Sequence, residues 1–288
     1  MLPSRFEYHR ASSIEEALAL LDQYGEDAKV LAGGQSLIPL LKLRFASPGH
    51  LIDVNPIVEL AGISEADGHL RIGALTRHVD LIRSETISRA YPVIAAAAPQ
   101  IADPIVRNLG TIGGSLAHAD PAGDLGAVML AMGASVVLRG SGGERTVSID
   151  EFLVDTFTTS IQPNELLTQV RVPTPPPRSG GTYLKLERKV GDFATVAAAI
   201  TLTLSNGSIG RAGIGLTGVD VKNVHATDAE SGLNGTAPSD ESFAEAGRLA
   251  AAAAHPVCDV RGSEAYKRHM IEVYVRRGLA RALEMANG

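Results

Sequence analysis

The 288-residue sequence contains a single cysteine, Cys258. One cysteine excludes an intrachain disulfide framework, a multi-cysteine zinc site and an iron–sulfur cluster ligated by this chain alone. It fits a reducing compartment. Basic residues are in the minority, 26 Lys and Arg against 32 Asp and Glu. The net charge of −6 argues against an electrostatic nucleic-acid binder. Long hydrophobic runs are missing too. The longest uncharged apolar stretch, Leu125 to Leu138, falls short of the roughly 18 residues that a spanning helix needs. The opening MLPSRFEYHRASS carries an acid early and no apolar region, so it does not read as a secretory signal. No internal repeat at solenoid spacing is visible. These absences point to a cytoplasmic protein with no membrane span.

What is present is a globular composition, 45% hydrophobic and 20% charged, with 30 glycines and 15 prolines. Much of the chain is therefore turn and loop. The length suits two domains, with one or three left open. Ser12-Ser13-Ile14-Glu15-Glu16 opens a helix with a serine cap and acids in the first turn, and Gly25 stops it. Ala28–Ala32 and Leu51–Val54 read as strands, with a helical pattern over Leu37–Phe45 between them. Further on, Thr76 is expected to cap a helix over His78–Ser84, and Pro92–Ala98 reads as another helix. Asp120-Pro121 is expected to start a helix as N-cap and N1. Leu70–Ala74, Ser135–Arg139 and Glu165–Val172 read as strands. Pro173-Thr174-Pro175-Pro176-Pro177 is a stiff extended segment and the expected domain boundary. Beyond it, Ser205-Asn206-Gly207-Ser208 signals a hairpin between Ala194–Leu204 and Ile209–Thr217. Helices are expected over Ser239–Ala254 and Ser263–Met285. In the last, Tyr266, Met270, Val273 and Tyr274 are expected to face the core, with Lys267 and its basic neighbours mostly elsewhere.

Two segments carry candidate chemistry: Ala32-Gly33-Gly34-Gln35-Ser36 and Thr111-Ile112-Gly113-Gly114-Ser115. Glycine lets backbone amides approach an oxyanion and permits positive φ. Ser36 is placed to cap the helix that follows, aiming its amide end where the turn points. Either segment alone reads as a tight turn. Together they point to a phosphate-bearing cofactor clasped from two sides. A third glycine pattern, Gly213-Ile214-Gly215-Leu216-Thr217-Gly218, fits G-x-G-x-x-G. No helix opens at its third glycine, so it reads as a strand with close backbone approach. Ser115 and His118 lack a nucleophile elbow and an orienting acid. Asp53, His78, His118 and Asp124 have no diagnostic metal-ligand spacing, and no metal site is expected. Asp124 suits a helix N-terminus on dipole grounds alone. Lys185, Arg188 and Lys189 cluster with Asp192 and Phe193, as a solvated edge or as a cation and ring offered to a cofactor. Cys258 reads as a buried, inert thiol.

AGGQSLIPLLKLRFASPGHLIDV and DPIVRNLGTIGGSLAHADPAGDLGAVMLAMGA, followed by KLERKVGDFATVAAAI and RGSEAYKRHMIEVYVRRGLARAL, together resemble the FAD-binding medium subunit of the molybdenum hydroxylases. This is the xanthine dehydrogenase family, and the sequence is nearest the carbon monoxide and N-heterocycle dehydrogenase type. The resemblance runs over nearly the whole chain in the same order. It implies an α+β fold of the vanillyl-alcohol-oxidase (PCMH) type: FAD-binding subdomains over 1–55 and 56–177, then a C-terminal α+β domain over 178–288. It further implies that Ala32–Ser36 and Thr111–Ser115 wrap the FAD, chiefly its diphosphate, and that Asp124 contacts the cofactor. Leu167 and Lys185 match positions near the flavin ring. Ile101 stands where relatives carry a stacking aromatic, which leaves Phe193 as the better candidate to flank the ring. No catalytic acid or base is implied in this chain. The molybdenum cofactor and the 2Fe-2S clusters would belong to a large and a small partner subunit, in a dimer of heterotrimers. The alternative reading is a free-standing FAD-dependent oxidoreductase that binds its own substrate; a cofactor-free interaction subunit is a third.

Overall fold

The computed structural model describes residues 2–288. Its first part is a small parallel sheet. The strands are β1 (Glu7–Arg10), β2 (Ala28–Leu31) and β3 (His50–Asp53), and β3 lies between the other two. Helix α1 (Ile14–Tyr24) connects β1 to β2. Ser13 Oγ accepts from the Glu16 amide to cap it, and Gly25, at φ 51°, ends it. Its Ala17, Leu18 and Leu21 pack with Ala28, Ile52 and Val54. Helix α2 (Leu37–Leu43) leads from β2 towards β3. Ser36 stands at its N-cap, but the side chain makes no capping bond. The backbone there is helical rather than extended, which turns the hydroxyl away from the amides it was expected to cap.

The middle part adds β4 (Ile63–Ala66) and β5 (His69–Gly73), then a run of short helices. These are α3 (His78–Arg83), α4 (Glu85–Ala90), α5 (Pro92–Ala97), α6 (Pro104–Leu109), α7 (Ile112–His118) and α8 (Asp124–Met132). β6 (Ser135–Gly140), β7 (Gly143–Ser148), α9 (Ile149–Phe152), the small pair β8 (Leu153–Asp155) and β9 (Thr158–Thr159), and β10 (Leu166–Pro173) complete it. An antiparallel sheet forms in the order β4-β5-β10-β6-β7. Two helix starts differ from expectation. Thr76 does not cap α3; its hydroxyl accepts from and donates to the Gly62 backbone at 3.0 Å each, and Arg77 takes the cap position. Asp120-Pro121 does not open α8. Asp120 closes its own turn by accepting from the Ala122 and Gly123 amides, so the helix begins at Asp124.

The last part is the sheet β11 (Ser179–Leu186), β12 (Val196–Ser205), β13 (Ser208–Thr217) and β14 (Val224–His225), backed by α10 (Thr227–Leu233), α11 (Asp240–Ala252) and α12 (Glu264–Asn287). Asn206 and Gly207 take the two positive φ angles, 52° and 83°, of the hairpin turn. β12 alternates: Ala197 and Ala199 join the core around α8, while Ala198, Ile200 and Leu202 face α11 and α12. Every residue of α8 is buried, the pattern of a helix enclosed on all sides. Gly213 and Gly215 lie in β13, and a Cβ on either would collide with an α8 carbonyl, of Ala131 and Ala127 respectively. The G-x-G-x-x-G string is thus a packing surface.

The core face of α12 is Ile271, Val275, Leu279 and Ala282, one position round from the expected stripe, and Tyr266 is exposed. Lys267, expected outside, is buried. Its ammonium donates to the Val257 carbonyl at 2.9 Å and pairs with Asp259 at 2.8 Å, which satisfies the charge. Cys258 is exposed, not buried, because the segment before α12 runs over the surface. Among the described residues no helix is long and apolar enough to cross a membrane.

Candidate cofactor site

The two glycine segments meet. Ala32–Ser36 leaves the C-terminal end of β2, whereas Thr111–Ser115, expected as a tight turn, is instead the N-cap and first turn of helix α7, because Thr111 Oγ1 caps the Gly114 amide. A Cβ on Gly33 would collide with the Leu109 carbonyl oxygen and come within 2.8 Å of Gly110 Cα. A Cβ on Gly114 would lie 3.8 Å from Ala32 Cβ. Glycine at position 33 is therefore what lets one backbone cross the other. Gly34, at φ 72°, turns the chain into α2.

A polar brace holds the junction. Asn55, just past β3, donates through Nδ2 to the Ala32 carbonyl at 2.8 Å and accepts from Arg77 at 2.6 Å. Arg77 also donates to the Leu109 carbonyl at 2.5 Å. One guanidinium thus ties both turns and brings positive charge to the crossing. Desolvation lowers the Arg77 pKa somewhat from its ordinary value, but guanidinium remains charged. His78 donates its backbone amide to the Gly110 carbonyl at 3.0 Å, and its ring lies under Gly110. Burial, and then the charges of Arg107 and Arg77, push the His78 pKa down to about 4. Its imidazole is neutral, and Nδ1 is buried without a partner among the described residues. Neither Asn55 nor Arg77 stood out in the sequence. The only local signal is a polar residue in a short connection, Asn55 two residues past β3 and Arg77 at the start of α3.

A second group gathers beyond α7. Asp124, at the first turn of α8, is buried and accepts from Tyr183 Oη at 2.5 Å and from Lys185 Nζ at 3.2 Å. Lys185 also donates to the Gln100 carbonyl at 2.9 Å and lies 3.6 Å from Glu187. Desolvation raises the Asp124 pKa against the pull of Lys185. Burial, then the Asp124 charge, raises that of Tyr183 well above 10. Ile101 follows Gln100 and is nearly buried, and Arg107 donates to its carbonyl at 2.8 Å. The loop bearing Phe193 folds onto this place: a Cβ on Gly191 would stand 2.7 Å from the Ala102 carbonyl. The Phe193 ring is 51% exposed and so is available as a face. Its mount is rigid, because Asp192 accepts from the Phe193 amide and pairs with Arg188 and Arg261. Ile101, Asp124, Lys185 and Phe193 therefore share one neighbourhood. Leu167 lies apart from their polar network, buried on β10 in the central core beside the β-bulge at Thr168.

The sequence matches the FAD binding domain in molybdopterin dehydrogenase over residues 4–175 and the CO dehydrogenase flavoprotein C-terminal domain over residues 181–282. The chain belongs to this molybdopterin dehydrogenase flavoprotein family. It is 44% identical to the carbon monoxide dehydrogenase medium chain of Afipia carboxidovorans, covering 98% of both chains. It is 43% identical to the 6-hydroxypseudooxynicotine dehydrogenase complex subunit alpha of Paenarthrobacter nicotinovorans, over 99% of this chain and 97% of that one. The structure superposes on a chain of the carbon monoxide dehydrogenase of Hydrogenophaga pseudoflava with a TM-score of 0.96, at 45% identity, covering 99% of each. The fold is the α+β, PCMH-type FAD-binding fold of this family.

The residues fit a diphosphate. The amides of Gly33, Gly34, Gln35 and Ser36 make no hydrogen bond among the described residues. Unpaired amides in a run, beside a guanidinium, form an anion-binding concavity. The carboxylates acting on Arg77 are Asp80, which accepts from the Arg77 amide at 3.3 Å, and Asp53, which is occupied by Asn55 and Tyr8.

Proposed function

We propose that this chain is the medium, FAD-holding subunit of a molybdenum hydroxylase, passing electrons from iron–sulfur clusters of a partner to an external acceptor. The observation that carries the reading is the crossing of the two glycine turns, with four free amides and Arg77 at one point. Residues 1–55 and 56–177 hold the cofactor between them, and 178–288 close it in. Ala32–Ser36 bind the diphosphate through their amides. Thr111–Ser115 present the opposite wall, where the exposed Gly114 leaves room for it. Asp124 and Lys185 contact the cofactor from their buried pair. Phe193 flanks the ring system, with Ile101 and Leu167 on the apolar side. When bound, FAD supplies the redox chemistry by accepting and releasing electrons singly or in pairs. No side chain here acts as a general acid or base.

The partners are a large subunit with the molybdenum cofactor and a small subunit with 2Fe-2S clusters. The complex is a dimer of heterotrimers in the cytoplasm. Exposed apolar side chains on α2 and α6, Ile38, Leu43, Ile105 and Leu109, flank the crossing. They suit a covered surface more than an exposed one. Acid precipitation of the purified chain tests the core of the reading: one FAD per chain is released to the supernatant. A protein that takes up no flavin overturns it. Substrate-dependent bleaching of the flavin occurs only after the partners are added. Full-rate bleaching in the isolated chain would make it a free-standing oxidoreductase instead.

A further inference from the structure

The end of the N-terminal sheet remote from the glycine turns carries a second constellation. β1 and β3 run parallel with Glu7 opposite His50. Glu7 and His9, two residues apart on one strand, share a face. His9 Nε2 and His50 Nδ1 are 3.0 Å apart, and Glu7 Oε2 is 3.7 Å from His50 Nδ1. The ligand atoms of all three lie within 4.8 Å of one another. A tetrahedral ion with bonds of about 2.1 Å holds its ligands roughly 3.4 Å apart. The two separations from His50 Nδ1 straddle that value, and the third pair lies within 4.8 Å, so an ion enters by side-chain adjustment on one face of the sheet.

The surroundings orient these groups. The Tyr24 ring stacks on His50 at 3.6 Å and on His9 at 5.0 Å, walling both imidazoles. For Nδ1 of His50 to bind an ion, its proton must sit on Nε2, and Asp27 Oδ2 is the carboxylate facing that nitrogen at 4.0 Å. Asp27 is held by the Gly49 amide at 2.8 Å, and a Cβ at residue 49 would collide with its carboxylate. A carboxylate behind a ligating histidine fixes the tautomer and raises ligand basicity. Helix α1 ends at Tyr24 with no basic residue in its last turn. Its negative end therefore adds to Glu7 and Asp27 in favouring a cation.

We propose that His9, His50 and Glu7 bind one divalent transition ion of the zinc class, clipping β1 to β3. Two imidazoles and one carboxylate select such an ion over calcium or magnesium, which take oxygen ligands. The exposed side of Glu7 leaves the fourth position to water. The site is structural, lying about 15 Å of strand away from Asn55.

The test uses the full FAD-loaded chain with Cys258→Ser, stripped by a chelator, so that the exposed thiol cannot bind metal. Titration with Co²⁺ should give one saturable site per chain with a visible ligand-field band that Zn²⁺ bleaches. Zn²⁺ should also raise the melting temperature. His9→Gln and His50→Gln should each weaken binding by more than about tenfold and abolish the band, with flavin content unchanged. His225→Gln, whose imidazole sits apart between Asp150 and Glu230, should leave both intact. Should the histidine variants lose flavin or fold, the exposed Glu7→Gln decides, with weaker Co²⁺ binding expected. Absence of a saturable site, or binding indifferent to these three positions, overturns the proposal.

Discussion

Ala32–Ser36 and Thr111–Ser115 share a glycine pair and a closing serine, yet their backbones are committed differently. In the first, the amides from Gly33 to Ser36 are unpaired among the described residues, and Gly34 takes a positive φ. In the second, the amides from Ile112 to Ser115 are all engaged. Ile112 donates to the Thr76 carbonyl, Gly113 to that of Ala74, Gly114 to Thr111 Oγ1 and Ser115 to the Thr111 carbonyl. Gly113 is glycine because a Cβ would stand 2.5 Å from that of Ala74. The first turn offers donors; the second offers a close, bare wall. Paired glycines in a sequence therefore signal close approach, and the approaching group can be a ligand or the protein itself.

The largest effect is expected from Gly33→Ala. The new methyl meets the Leu109 carbonyl, forcing the two turns apart and disordering the donor run. FAD affinity should fall by more than about a hundredfold, near 3 kcal/mol, as read by flavin fluorescence titration of folded apoprotein. Near-normal affinity would mean that the crossing is not the binding site.

Acid should loosen the crossing next. His78 titrates at about 4 in the fold against an ordinary 6.5. The unfolded chain thus takes the proton first, and the contribution is whole above about pH 6.5 and lost as pH falls towards 4. Melting temperature should drop across that window, and the drop should flatten in His78→Leu. An unchanged slope in that variant would show that other groups carry the acid sensitivity.

Gly114→Val tests the wall. The position is exposed; a Cβ there would stand 2.7 Å from the capping Thr111 Oγ1 and 3.8 Å from Ala32 Cβ, so the variant should disturb the α7 cap while its side chain fills cofactor space. We expect about a tenfold loss of FAD affinity, near 1.4 kcal/mol. A loss matching that of Gly33→Ala would erase the distinction between the turns. The smallest change is Thr111→Ala. It removes the α7 cap at a cost of about 1 kcal/mol in stability, seen in denaturant midpoints, with little change in FAD affinity. A large affinity loss without a stability change would make Thr111 a direct ligand.

Much of this site was legible in advance because its signals are local. Glycine pairs, a serine before Ile14 and an Asn-Gly turn each constrain φ and hydrogen bonding within a few residues. The reading went astray where a distant partner decided. Thr76 suits an N-cap by type, yet Gly62 claims its hydroxyl. Lys267 looks like a solvated charge, yet the Val257 carbonyl and Asp259 make it a buried one. Asn55 and Arg77 carry no motif, since their role exists only where β3 and α3 come side by side.

The sequence by itself determined helix α1, the hairpin at Asn206-Gly207, the two glycine segments and the family. All of these are written in short-range backbone preferences and near-continuous similarity. Tertiary structure alone decided that the two turns cross, which one keeps its amides free, and that Gly213 and Gly215 serve α8 rather than a cofactor. The physical reason is that a glycine's composition reports only the missing Cβ. What moves into the space thus left depends on which backbone the fold carries past it.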